Sequence, residues 1–165
     1  MHVLSNRAAL LSIGFATLLI FNLGMAPHPP ANVHLWELVG VPTYPDQART
    51  VQQPWFIREQ KILFERQTLE SLRDLAHPIS SRIVLNLIGE TTHELLIQSR
   101  TAGPLASTVI QGHLQNTLQD DMTLILKDNV VAGTIHFNKR TFEIQFIGNG
   151  EHLLVELDPE KLPPD

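Results

Sequence analysis

A chain of 165 residues, 43% of them hydrophobic, has room for one modest domain with its own core. Its formal net charge of −5 argues against nucleic acid as a partner. With no cysteine, it has neither a disulfide framework, nor a thiolate zinc site, nor an inhibitory thiol switch.

The first 26 residues read as a signal peptide or membrane anchor. Arg7 precedes a nearly unbroken apolar run, residues 8–25, which is long for a signal core and slightly short for a membrane span. Small residues surround a cleavage site at Gly24-Met25-Ala26, but Pro27 directly after it is a poor context. The expectation is export as a periplasmic or secreted protein, or retention at a bacterial inner membrane as an uncleaved N-terminal hydrophobic helix.

Residues 27–56 carry Pro27, Pro29, Pro30, Pro42, Pro45 and Pro54, the composition of an extended linker. Within it, Leu35 to Val41 reads as a short strand or a docking segment. Trp36 and Trp55 bracket the region and are expected to pack back onto the domain.

Regular structure is expected from Ile57 to Asp165. Arg58 to Glu65 alternates and reads as a strand, with Ile62 and Phe64 on one face. Thr68 to Leu75 spaces Leu69, Leu72 and Leu75 by three residues. With Thr68 as N-cap and Pro78 as stop, it reads as a short helix. Arg82 to Ile88 and Thr91 to Arg100 read as a hairpin, and Ser107 to Leu114 as the next strand. Gly112 marks a bulge or a close approach in that strand.

The last third is a meander. Met122 to Lys127 alternates, and a tight turn at Asp128-Asn129 pairs Lys127 with Val130, Leu126 with Val131 and Leu124 with Gly133. A second turn at Asn138-Lys139 pairs Phe137 with Arg140 and Ile135 with Phe142. Both turns place Leu124, Leu126, Val131, Ile135, Phe137, Phe142, Ile144 and Phe146 on one apolar face. A one-residue slip would expose the whole set, so the register is well specified. Thr134, His136, Thr141, Glu143 and Gln145 line the other face. Gly148-Asn149-Gly150 makes a third turn before a strand from His152 to Leu157. About eight short strands and one short helix predict a mainly β domain, an antiparallel β-sandwich or a partly open barrel.

Eight histidines invite a metal reading, but the spacings do not sustain one. His93-Glu94-Leu95-Leu96-Ile97 approaches the zincin pattern and has isoleucine where the second ligand belongs. In a strand, positions 93 and 97 lie about 13 Å apart. His113, His136 and His152 read as solvated sheet residues, His136 facing Thr141 and lying diagonal to Glu143. No nucleophile elbow or phosphate loop is present, Glu94 and Glu143 read as exposed carboxylates, and nothing calls for catalysis, a cofactor or a bound metal.

In order and spacing, the chain resembles the N-terminal prodomains of secreted bacterial zinc metalloproteases of the reprolysin-like and peptidyl-Asp type. The resemblance rests on Lys61 to Glu65, the leucines of 69–75, Leu85-Asn86-Leu87, Gly112, Met122 to Ile135 and Phe142 to Leu153. An exit motif of Asp158-Pro159 and Leu162-Pro163 completes it. The catalytic domain expected after that exit does not follow in this sequence. The resemblance implies a non-catalytic, exported domain that binds a secreted zinc metalloprotease and inhibits it or assists its folding. Its docking surface is expected at an exposed sheet edge or at the acidic exit, Glu156, Asp158, Glu160 and Asp165, with Asp158 a candidate to approach the catalytic zinc. Two alternatives stand beside it. One is a membrane-anchored envelope β-domain with a structural or ligand-binding role. The other is a truncated remnant of a metalloprotease precursor.

Overall fold

The computed structural model describes residues 32–45, 53–79, 82–115 and 120–163. The N-terminal apolar run and Asp165 lie outside them. Ten strands are described: β1 (Asn32–His34), β2 (Trp36–Thr43), β3 (Phe56–Phe64), β4 (Arg82–Asn86), β5 (Thr92–Ala102), β6 (Thr108–Leu114), β7 (Asp121–Lys127), β8 (Val130–Phe137), β9 (Arg140–Gly148) and β10 (Glu151–Leu157). One α-helix, α1 (Arg66–Arg73), joins β3 towards β4.

The strands form one sheet in the order β1-β4-β5-β6-β7-β8-β9-β10-β3-β2. β1 and β2 are separated only by Leu35, yet they stand at opposite ends of that order. The sheet therefore curls into a nearly closed barrel, and residues 32–43 form its seam. β1 runs parallel to β4, and β2 runs antiparallel to β3. Closure in this way removes most of the exposed sheet edge.

For residues 32–43 this corrects the linker reading, in favour of the short strand expected at Leu35 to Val41, and it moves the start of the domain ahead of Ile57. Leu35 and Trp36 are fully buried. The Leu35 N–H donates to the Val84 carbonyl at 2.7 Å, and Trp36 Nε1 donates to the Asn86 carbonyl at 2.8 Å. Pro42 is tolerated because the β2–β3 register shifts between Val39 and Thr43, where no regular ladder bond is required of it. The other eight strands are those expected from the sequence.

The meander has the predicted register. Lys127 faces Val130, Leu124 faces Gly133, Phe137 faces Arg140 and Ile135 faces Phe142. Asn138 and Lys139 both have positive φ, 49° and 63°, as a type I′ turn requires. Gly133 is needed for packing: a Cβ there would lie 2.3 Å from the Thr123 carbonyl oxygen. Gly112 is likewise a close approach, 2.6 Å from the Leu96 carbonyl oxygen for an added Cβ.

Phe146 departs from the predicted face and is 40% exposed. Described pairing of β8 with β9 reaches only Gly133 and Ile144, and the β9–β10 register shifts between Glu151 and His152. The strands splay there, and the Phe146 ring rests against His152 at 5.2 Å. Thr141, expected on the polar face, is buried.

The barrel interior is filled by one continuous cluster that includes Trp36, Ile62, Leu72, Leu85, Ile110, Leu124, Ile135, Phe142 and Leu154. Each such side chain contributes about 1.5–3 kcal/mol of hydrophobic stabilisation. A smaller cluster, Phe56, Leu153, Val155 and Leu157 with Trp55 against it, covers the outer face of β10. Both tryptophans thus pack on their own domain.

The helix begins one turn earlier than predicted. Glu65 is its N-cap, with no side-chain cap. Thr68 lies inside α1, and its hydroxyl donates instead to the His34 carbonyl at 3.1 Å, tying the helix to the seam. Leu69 and Leu72 are buried, whereas Leu75, beyond the helix, is exposed. Arg100 on β5 donates to the carbonyls of Ser71, Asp74 and His77, satisfying acceptors around the helix C-terminus.

Candidate functional site

The registers give the barrel two distinct ends. The β8–β9 turn, the end of β10 and the start of β3 share one, the arginine end. The β7–β8 and β9–β10 turns, the end of β3 and α1 share the other, the helical end.

At the arginine end, Glu156 is 4% exposed. Its two carboxylate oxygens accept from Arg58 Nε and Arg140 Nε, each at 2.6 Å. Arg140 continues to Glu90, and both arginines also donate to the Ile88 carbonyl, at 3.1 Å and 2.8 Å. The Arg140 guanidinium lies 4.7 Å from the centre of the Phe142 ring. Burial works against the Glu156 charge, but the Arg140 and Arg58 hydrogen bonds outweigh it and hold the carboxyl below its ordinary range. Glu156 is therefore not part of an exposed acidic surface. It points into the barrel, because residues 152 and 156 share a face with Leu154 of the interior cluster, while 153, 155 and 157 pack in the outer one.

The rest of the predicted acidic surface is dispersed. Asp158 accepts from the Glu160 N–H at 3.1 Å and pairs with Lys161 at 2.7 Å, and its own N–H donates to the Trp55 carbonyl at 2.7 Å. These contacts fold the exit segment back onto the domain as a single 3-10 turn, Pro159–Lys161. Glu160 is exposed, and Asp165 lies outside the described residues.

An apolar strip lies on the outer wall instead. Val39, Val41, Ile147 and Leu153 line one side of a groove of about 350 Å³ whose other residues are polar: Thr43, Glu59, Gln60, Lys61 and Glu151. Val41 is 82% exposed, held outward by the β2 bulge, and Tyr44 beyond it is half exposed.

The helical end holds a cavity of about 550 Å³, lined by Leu63, Phe64, Arg66, Leu69, Glu70, Arg73, Asn129, Gly150 and His152. Positions 66, 70 and 73 fall on one face of α1 by helical spacing. Among the described residues, none of the three has an ion-pair partner. Arg73 Nε and Nη2 are enclosed and lack any hydrogen-bond partner.

His152 is 2% exposed, which corrects its reading as a solvated histidine. The splay of β8 from β9 frees the Val131 N–H, which donates to His152 Nε2 at 3.0 Å. Nε2 is thus the acceptor, and the ring proton sits on Nδ1, which has no well-formed hydrogen bond. Burial pushes the imidazole below its ordinary pKa, and the Gly150 carbonyl only weakly opposes this. The ring also meets Phe64 edge-on at 4.9 Å.

The other predicted candidates stay apart. His93 and Glu94 are on β5, with the His93 ring tilted against Phe137 at 4.4 Å and Glu94 paired to Arg82 at 2.8 Å. His136 bonds Thr141 at 3.1 Å across the predicted pair. Among the described residues no group of three or more histidines and carboxylates could hold a metal ion, and no helix is long and apolar enough to cross a membrane. The sequence reading marked the leucines of α1 and missed Arg66, Glu70 and Arg73. Their i, i+4, i+7 spacing was the available signal. Comparison with protein-family models, with curated proteins and with solved structures returned no match to this chain.

Proposed function

We propose that the chain is an exported, non-catalytic β-barrel domain that acts by binding a protein partner, and that the partner is a secreted zinc metalloprotease. The prodomain resemblance supplies the partner class. The supporting observation is the exposed apolar group of Val39, Val41 and Ile147 at one groove of the outer wall. Exposed apolar side chains gathered at one groove are the kind of surface that a protein interface desolvates. In this reading the wall of β2, β9 and β10 replaces the acidic exit as the docking surface, because Glu156 is buried and Asp158 is engaged internally.

The test is capture by the full-length chain from the envelope and secreted fractions of its own cell, followed by activity assays on any zinc protease recovered. Saturable inhibition or assisted refolding, weakened at least about tenfold by Val41→Asp, is the expected result. A folded chain that captures no zinc protease overturns the proposal and leaves an anchored envelope domain as the reading to pursue.

A further inference from the structure

We infer that the cavity at the helical end is a binding site for a small oxyanion carried on an apolar stem, with Arg73 as its principal contact. The inference does not depend on the protease partner, whose proposed surface is on the outer wall.

Two residues of the cavity lining carry enclosed donors. The first is the Arg73 edge formed by Nε and Nη2, which bear parallel N–H groups. That edge is the geometry that takes a carboxylate or phosphate through two hydrogen bonds at once. The second is His152 Nδ1–H, fixed as a donor because Nε2 accepts from Val131, with the Gly150 carbonyl as its poorly aligned neighbour. An enclosed donor edge without a partner is disfavoured, and an acceptor that reaches the Arg73 edge relieves it. Arg73 lines the cavity and is half-buried as a whole, with this edge enclosed in the present rotamer, so binding requires the side chain to turn the edge into the cavity.

The charge and the walls narrow the ligand. Arg66 adds a second cation and Glu70 one anion, so the lining carries a net positive charge in a chain whose total is −5. Leu63, Phe64 and Leu69 supply an apolar wall beside the cations. Oxyanion and apolar wall together fit an amphipathic carboxylate or a phosphate ester of similar size.

The experiment is calorimetric titration of the full-length chain with sodium hexanoate, inorganic phosphate and hexylamine, with amide shifts of Val131 and Gly150 as the site-specific readout. The expected result is saturable binding of hexanoate, of phosphate or of both, with Val131 and Gly150 moving. Hexanoate alone identifies a carboxylate ligand, and phosphate alone a phosphate one. Arg73→Gln is expected to weaken that binding at least about tenfold, the loss of a charged bidentate contact. Arg73→Lys keeps the charge without the fork and is expected to restore only part of it. Absence of saturable oxyanion binding, binding unchanged in a folded Arg73→Gln protein, or hexylamine bound as tightly as hexanoate would overturn the inference.

Discussion

The two ends of the barrel use the same kinds of side chain in opposite ways. At the arginine end, Arg58, Arg140 and Glu156 satisfy one another, and the spare donors reach Glu90 and the Ile88 carbonyl. At the helical end, the Nε and Nη2 edge of the half-buried Arg73 is also enclosed, yet it has no partner, and the His152 ring N–H has only the poorly aligned Gly150 carbonyl. A closed polar network over-determines the local structure and leaves nothing to offer a ligand. Unmatched donors beside a cavity do the reverse: they weaken the folded state slightly and leave affinity in reserve. Burial of an arginine therefore says little about its role until its partners are counted.

Three substitutions and an acid titration would break or sharpen this contrast. The largest effect is expected at the arginine end. Glu156→Ala leaves two guanidinium groups facing each other and should lower unfolding stability by about 3–5 kcal/mol in denaturant titration. A loss below about 1 kcal/mol would mean that water reaches the arginines and that the network is not closed.

An intermediate effect is expected from His152→Phe. The ring volume and the contacts with Phe64 and Phe146 are kept, but the Val131 N–H loses its acceptor, at about 1–3 kcal/mol. The pH dependence separates the two ends further. The His152 pKa is lower folded than unfolded, so the unfolded chain binds more protons as pH falls below about 6.5. Its stabilisation is complete above that value and declines as pH drops towards the folded pKa. The Glu156 pKa is also lowered, so its contribution is complete above its ordinary value of 4.5 and is lost as pH falls through the folded pKa. Acid titration of stability should show a first decline beginning near pH 6.5 and a second below 4.5. His152→Phe should remove only the first.

The smallest effect is expected from Arg73→Met, within about 1 kcal/mol of the parent and on the stabilising side, because an unpaired buried donor edge is exchanged for an apolar side chain. A loss of more than that would show that Arg73 has a structural partner and would bring the two ends closer together in kind.

Local chemistry determined a large share of this molecule from sequence alone. The meander from Met122 to Leu157 was legible because alternation has a period of two and each tight turn sets the register of its own hairpin. The helix was legible from leucine spacing, though its first turn was not, because Thr68 turned to the His34 carbonyl instead of capping the helix. The seam was legible only in part: Leu35 to Val41 read as a short strand or docking segment, but its place in the barrel did not show. Proline content argued for a linker, while the partners that make 32–43 a pair of strands lie 16 to 50 residues away, in β3 and β4. Nor could an acidic C-terminal segment announce that Glu156 faces inward between Arg58 and Arg140, since that depends on barrel closure and on which face of β10 the curl turns inside. Hairpin register is set by a few adjacent residues. Barrel closure, the buried charges and the unmatched donors depend on chain segments brought together only when the whole sheet curls, and so only the tertiary structure decided them.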